Sequence, residues 1–324
     1  MRLSLLLLLF ATPVWGQASP PLRLENTIDL PDVQGRIDHM SIDVNGARLF
    51  VSALGNNTVE IIDTKAGKRV KTIGGLAEPQ GVLFVSAINR FYVANGKDGS
   101  VRIFDGTSYA PVKTLDYGDD ADNLRYDSVR RRVYVGYASG ALGEIDEQGN
   151  KVAEIKLGAH PESFQLEKGS PRTYVNLPKS RKVAVVDREK RAIITSWSLG
   201  TTLANYPMAL DEADHRLFVI TRFPARLLVF DTTTGKVVQR LPAVGDCDDV
   251  FYDSTRKRIY ASGGEGALSV FAQQDPDHYK ESARIPTVKG ARTSFFSPDL
   301  DRLFLAVRRQ GSQSAAIRVF APSS

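Results

Sequence analysis

The chain has 324 residues, 42% hydrophobic and 24% charged, which excludes an intrinsically disordered protein and a polytopic membrane protein and leaves material for a large core. Lys and Arg number 42 against 37 Asp and Glu, a formal net charge of +5, too mild and too dispersed for a dedicated nucleic-acid binder. Cys247 is the only cysteine, so an intramolecular disulfide, a CxxC zinc knuckle, CxxCH haem attachment and an iron-sulfur cluster are all excluded.

Residues 1–16 read as a signal peptide: Arg2, an apolar run over residues 3–11, and Val14-Trp15-Gly16 at the exit. The apolar run is about half the length that spans a bilayer. The expectation is therefore cleavage after residue 16, a mature chain of residues 17–324 in the periplasm or medium, and no membrane span.

Next in the chain, Leu22, Leu24, Ile28 and Leu30 recur at even spacing, the mark of a half-buried strand. Apolar triplets then return at a nearly constant interval, centred on Phe50, Tyr92, Tyr134, Tyr174, Phe218, Tyr260 and Phe304. Each triplet is followed by a polar or glycine-containing turn. A strand ending in an apolar residue plus Asp comes after it, as at Ile62-Asp63, Phe104-Asp105, Ile145-Asp146, Val186-Asp187 and Phe230-Asp231. Turns such as Asp63 to Gly67 and Asp231 to Gly235 lead into a fourth strand. Four short antiparallel strands cannot bury both faces alone but can when packed radially against copies of themselves. The seventh unit stops at Phe320 without a fourth strand, and the segment at 22–30 is expected to supply it. The predicted fold is all-β: a seven-bladed β-propeller of four-stranded antiparallel blades, one domain over residues 17–324, with the ring closed by the N-terminal strand.

Tyr92-Val93-Ala94-Asn95, its weaker counterparts Tyr174-Val175-Asn176 and Phe50-Val51-Ser52, and the Asp-x-x-x-Gly-Lys turns resemble the YVTN-type, or YncE-like, surface-layer-like propeller repeats. The resemblance covers essentially the whole mature chain. It implies the propeller fold and leaves activity open, since such propellers include binding proteins as well as enzymes.

The repeat register selects candidate site residues. Twelve positions before each anchor stand Asp38, Gln80, Asp122, Glu162, Tyr206, Asp248 and Arg292, a polar ring of formal charge −3. Ten and eight positions before the anchor the same face turns mostly apolar, as at Met40 and Ile42 or Val82 and Phe84. The ring is therefore expected at one mouth of the central channel, with His39, Asn123, Asp249 and Thr293 adjacent and Asp120, His160 and Asp246 just outside. It serves either as the polar lining of a water-filled channel or as a site for a cation, an amine or a small polar molecule. The candidate ligand-binding residues are Asp38, His39, Gln80, Asp122, Glu162, Tyr206, Asp248, Asp249 and Arg292.

A second ring stands two positions before the anchors: Arg48, Arg90, Arg132, Arg172, Arg216, Arg258 and Arg302. Asp43, Asp127, Glu167, Asp211 and Asp253 lie across the same hairpins, so cross-strand ion pairs are expected in five blades. Loops carrying Lys97, Lys179, Arg181, Arg222, Phe223, Arg226, Arg308 and Arg309 are expected on the face of the acidic mouth.

HExxH, GxSxG, Walker and Rossmann patterns are all missing, so neither a nucleotide nor a haem is expected as a cofactor. His39 and His160, with Asp122 and Glu162, are candidate ligands for a divalent metal. A metal-assisted lyase or hydrolase at the channel mouth, resembling virginiamycin B lyase-type propellers, is the alternative function that this set allows. The leading reading is a monomeric, exported, non-catalytic binding propeller that presents its channel mouth and loop face to a small polar ligand, a cell-surface component or a protein partner. Binding of single-stranded nucleic acid or another anionic polymer is less favoured, because aromatic residues are sparse among the basic loops.

Overall fold

The computed structural model describes residues 20–138 and 140–323; the expected leader at 1–16 lies outside the described residues. Among these residues are seven four-stranded antiparallel sheets and no α-helix. The innermost strands are Met40–Asp43, Pro79–Val85, Leu124–Asp127, Phe164–Leu166, Leu203–Asp211, Cys247–Asp253 and Ser294–Ser297. The seven aromatic anchors occupy the second strand of each blade and are 0–2% exposed. Burying such a side chain contributes about 1.5–3 kcal/mol, so the repeating aromatic is a repeating stabiliser.

The hydrophobic core is divided among blade interfaces. Phe50, Val59 and Ile61 of blade one pack with Val82, Phe91 and Val93 of blade two, and six equivalent clusters follow around the ring. Each unit thus hides its faces against its neighbours rather than around a centre of its own. In six blades the pairing of the third and fourth strands slips by one residue at the same place, for example at Ile61/Ile62 and Val229/Phe230. A bulge there adds twist to the outer strand. Asp63, Asp105, Asp187 and Asp231 then turn the chain by accepting two backbone N–H groups each.

Ring closure follows the expected seam. The strand Leu22–Leu30 pairs antiparallel with Ala315–Pro322, matching Leu30 to Ala315 and Ile28 to Ile317. This removes the free edge of the last blade. A second latch lies nearer the axis, where Thr293 Oγ1 donates to the Ile37 carbonyl at 2.9 Å.

The hairpin ring needs correction. Asp43, Asp127, Asp211 and Asp253 do stand opposite Arg48, Arg132, Arg216 and Arg258 in the backbone register. Side-chain pairing holds for Arg48 with Asp43 at 2.6 Å and for Arg172 with Glu167 at 3.0 Å. Arg132 turns instead to Glu144, Arg216 to Asp277 and Asp231, and Arg258 to the Ser323 carbonyl. A long guanidinium reaches whichever carboxylate or carbonyl the next strand or blade brings near, so register alone does not choose its partner.

Candidate functional site

The inner strands begin with local irregularities that aim side chains at the axis. In blades two, five and six the pairing slips at Pro79/Val82, Asn205/Met208 and Cys247/Asp249, which places Gln80, Tyr206 and Asp248 on bulges. In blades one, three and four, Asp38, Asp122 and Glu162 precede the strand, and their backbone N–H groups bond the carbonyls of Ser52, Gly136 and Asn176. Blades two and three approach closely here: a Cβ on Gly81 would lie 2.2 Å from the Asp122 carbonyl oxygen, so only glycine fits.

These side chains surround a cavity of about 210 Å³. Its wall includes His39, Gln80, Asp122, Glu162, Tyr206, Asp248 and Arg292, together with Arg36, Asp120, Asn123, His160, Ser163 and Arg222. Two candidates lie apart. Asp38 is wholly buried behind the wall, 2.9 Å from Arg36. Asp249 faces a deeper cavity of about 260 Å³ further along the inner strands, and its Oδ2 accepts the Ser294 N–H at 2.9 Å.

The mouth has two sides of different character. On one, Asp248 takes Arg222 at 2.6 Å and Arg292 at 2.9 Å, with Arg36 at 3.6 Å, while Asp246 takes Arg292 at 2.9 Å. Arg222 also lies over the Tyr206 ring, 4.1 Å from its centroid. On the other side stand Asp120, Asp122, Glu162 and His160. His160 Nε2 is 3.7 Å from Asp120 and 3.8 Å from Glu162. Ligand atoms of Asp122, His160 and Glu162 all lie within 4.8 Å of one another. Among the described residues no Lys or Arg comes within ion-pair distance of these three carboxylates, although three arginines line the opposite wall.

Electrostatics follow this division. Burial, reinforced by Asp38 and Asp120, pushes the Asp122 carboxyl up to about 7. Burial, with Asp122 adding repulsion, pushes Glu162 up to about 9. Burial lowers His160. His39 behaves oppositely: burial opposes its charge, but Asp249 and Asp38 outweigh burial and raise it to about 10. Its Nδ1 is 3.3 Å from Asp249. Of the four metal candidates, His160, Asp122 and Glu162 converge, whereas His39 serves as a cation between two aspartates. Burial also drives the Cys247 thiol well up, leaving it without nucleophilic character.

Sequence reasoning missed Arg36, which joins the wall from the loop before blade one, and Arg125, half-buried in the channel over the Phe164 ring. An arginine at an odd place on an otherwise apolar strand was the available signal for Arg125. Of the basic loop residues expected at the mouth, Arg222 reaches the cavity.

Comparison with known proteins matches this architecture. No family model matches the chain. It is 23% identical over 272 residues to a YncE protein of Salmonella typhi and 22% identical to that of Salmonella typhimurium, covering 80% of this chain. The aligned region spans 65% of the length of those two relatives. A YncE protein of Escherichia coli O157:H7 is 28% identical over 169 residues. Among solved structures, a chain of Kuenenia stuttgartiensis hydrazine synthase superposes with a TM-score of 0.73 at 16% identity, covering 89% of this chain and 97% of that one. A chain of the mitotic checkpoint complex superposes at 0.79 with 14% identity over the full length of both. Those two likenesses show the fold alone. Among the described residues no helix is long and apolar enough to cross a membrane. Seven closed four-stranded blades make this chain a β-propeller, and the curated proteins to which its sequence is similar are YncE proteins.

Proposed function

We propose that the chain is an exported binding propeller that holds a small polar ligand in the mouth of its central channel and does no chemistry on it. One observation carries the reading: a single cavity of about 210 Å³ joins an arginine side, Arg36, Arg222 and Arg292, to a carboxylate and imidazole side, Asp122, Glu162 and His160. Converging groups of both signs in a confined mouth suit a ligand of mixed charge. The apolar, Arg-led segment at 1–16 supports export.

The test is a thermal-shift panel of zwitterionic amino acids, polyamines and sugar acids on the EDTA-treated mature chain. A binder should stabilise the protein, and Arg292→Gln should weaken it about tenfold or more, as expected when a charge-assisted contact is lost. Arg132→Gln, on a hairpin away from the cavity, should leave binding intact. Equal behaviour of the parent and Arg292→Gln across the panel would overturn the reading. N-terminal sequencing of protein recovered outside the cytoplasm tests export, and an intact Met1 would refute it.

A further inference from the structure

We propose that Asp122, His160 and Glu162 form a binding site for one divalent first-row transition cation, Zn²⁺ or Mn²⁺, set in the wall of the channel mouth; this deepens, and rests on, the reading of the mouth as the working site. The three residues come from blades three and four, and their donor atoms lie within 4.8 Å of one another. Ligands bound tetrahedrally at about 2.0–2.2 Å to one ion stand roughly 3.3–3.6 Å apart, so the widest pair of this cluster would close by about 1 Å on binding. His160 Nε2 and Glu162 Oε1 are already at 3.8 Å, too far for a hydrogen bond and only a few tenths of an ångström wider than the separation an ion would bridge.

A carboxylate cluster alone would not justify a site. The independent observation is Asp122: the residue is 5% exposed and lines the cavity, and its Oδ1 is buried without a hydrogen-bond partner. A buried carboxylate oxygen without a partner carries a desolvation cost that a ligand would relieve. Arginines form ion pairs with Asp248 and Asp246 on the other side of the mouth, yet among the described residues no arginine lies within ion-pair distance of Asp122 or Glu162. Gln80 Nε2 donates to Asp120 Oδ1 at 2.7 Å, and Asp120 Oδ2 lies 3.7 Å from the same His160 Nε2, which places a third carboxylate at the edge of the cluster.

Donor chemistry selects the class of ion. Two carboxylate oxygens and one imidazole nitrogen suit borderline cations such as Zn²⁺ and Mn²⁺; the nitrogen disfavours Ca²⁺, and soft Cu⁺ would call for sulfur. Three protein ligands leave coordination positions facing the cavity, where water or an anionic group of a bound molecule can enter. The arginine wall stands opposite to hold the rest of such a molecule.

The test uses the full mature chain stripped with EDTA, dialysed against Zn²⁺ or Mn²⁺ and assayed by elemental analysis and titration calorimetry. We expect one ion per chain, and an affinity loss of about tenfold or more in both Glu162→Gln and His160→Gln, at least the effect of disturbing a ligand's support. With Co²⁺ as a spectroscopic probe, the parent should show ligand-field bands that change in His160→Gln. Metal-free melting curves identify a variant that fails to fold, and Asp122→Asn then supplies a second ligand removal. Absence of saturable uptake, or equal affinity in the parent and folded ligand variants, would overturn the site. Uptake of one ion with no binder in the small-molecule panel would support the metal and sink the broader ligand reading. Panel binding in EDTA without ion uptake would do the reverse.

Discussion

Arg188 Nε lies 3.0 Å from Asp127 Oδ2, with the two side chains 0% and 4% exposed, although the residues belong to neighbouring blades. The same guanidinium donates to the carbonyls of Glu167, Ser170 and Arg172, so one buried cation ties a hairpin of blade four to blade three. Burial lowers its pKa while Asp127 supports its charge. Replacing Arg188 with Met should leave three carbonyls without their donor and Asp127 with Arg130 as its remaining cationic partner, and destabilise the protein by about 3–5 kcal/mol, the usual consequence of removing one partner of a buried pair. Urea unfolding measures it. A loss within the ~1 kcal/mol of an ordinary hydrogen bond would show that the pair does not hold the blades together.

The hairpin arginines make a graded prediction. Arg48 meets Asp43 through both Nε and Nη2, at 3.0 and 2.6 Å, so a double-mutant cycle to Ala should give a coupling of roughly 0.2–1 kcal/mol. Arg132 and Asp127 face each other in register but pair elsewhere, and their coupling should be indistinguishable from zero. Equal coupling in both hairpins would mean that backbone register governs the interaction rather than side-chain reach.

Glu167 provides the pH prediction. Burial alone would raise its pKa, but hydrogen bonds from Ser170, Tyr174 and Arg172 outweigh burial and hold the carboxyl below its ordinary value. A folded-state pKa below the unfolded one contributes stability that is fully present above the unfolded value, about 4.3, and is lost as pH falls through the folded value. The deficit of Glu167→Gln relative to the parent should therefore be largest at neutral pH and shrink in acid. Unfolding curves at neutral and strongly acidic pH test this, and a deficit independent of pH would place the effect in packing.

Much of the molecule was legible from residue spacing because strands and tight turns are local. The anchor aromatics announce the second strands, the turn aspartates bind backbone only two and three residues ahead, and the even spacing of Leu22, Ile28 and Leu30 marks the closing strand. Counting back from the anchors also located Gln80, Asp122, Glu162, Tyr206, Asp248 and Arg292 around one cavity. A repeat copies its geometry, so equivalent positions arrive at equivalent places about the axis.

Spacing did not tell which charges would be satisfied there. Asp248 and Asp122 occupy the same repeat position, yet Arg36, Arg222 and Arg292, drawn from the loop before blade one and from blades five and seven, converge on Asp248, and none of them comes within ion-pair distance of Asp122. His39 and His160 both precede inner strands, yet one lies between two aspartates as a cation and the other is lowered by burial. The sequence by itself determined the strands, their register and the closing of the ring, because those rest on hydrogen bonds and apolar periodicity a few residues long. Only the tertiary structure decided the electrostatic character of each side of the mouth, because Coulomb energy and desolvation depend on distances across the channel between residues far apart in the chain.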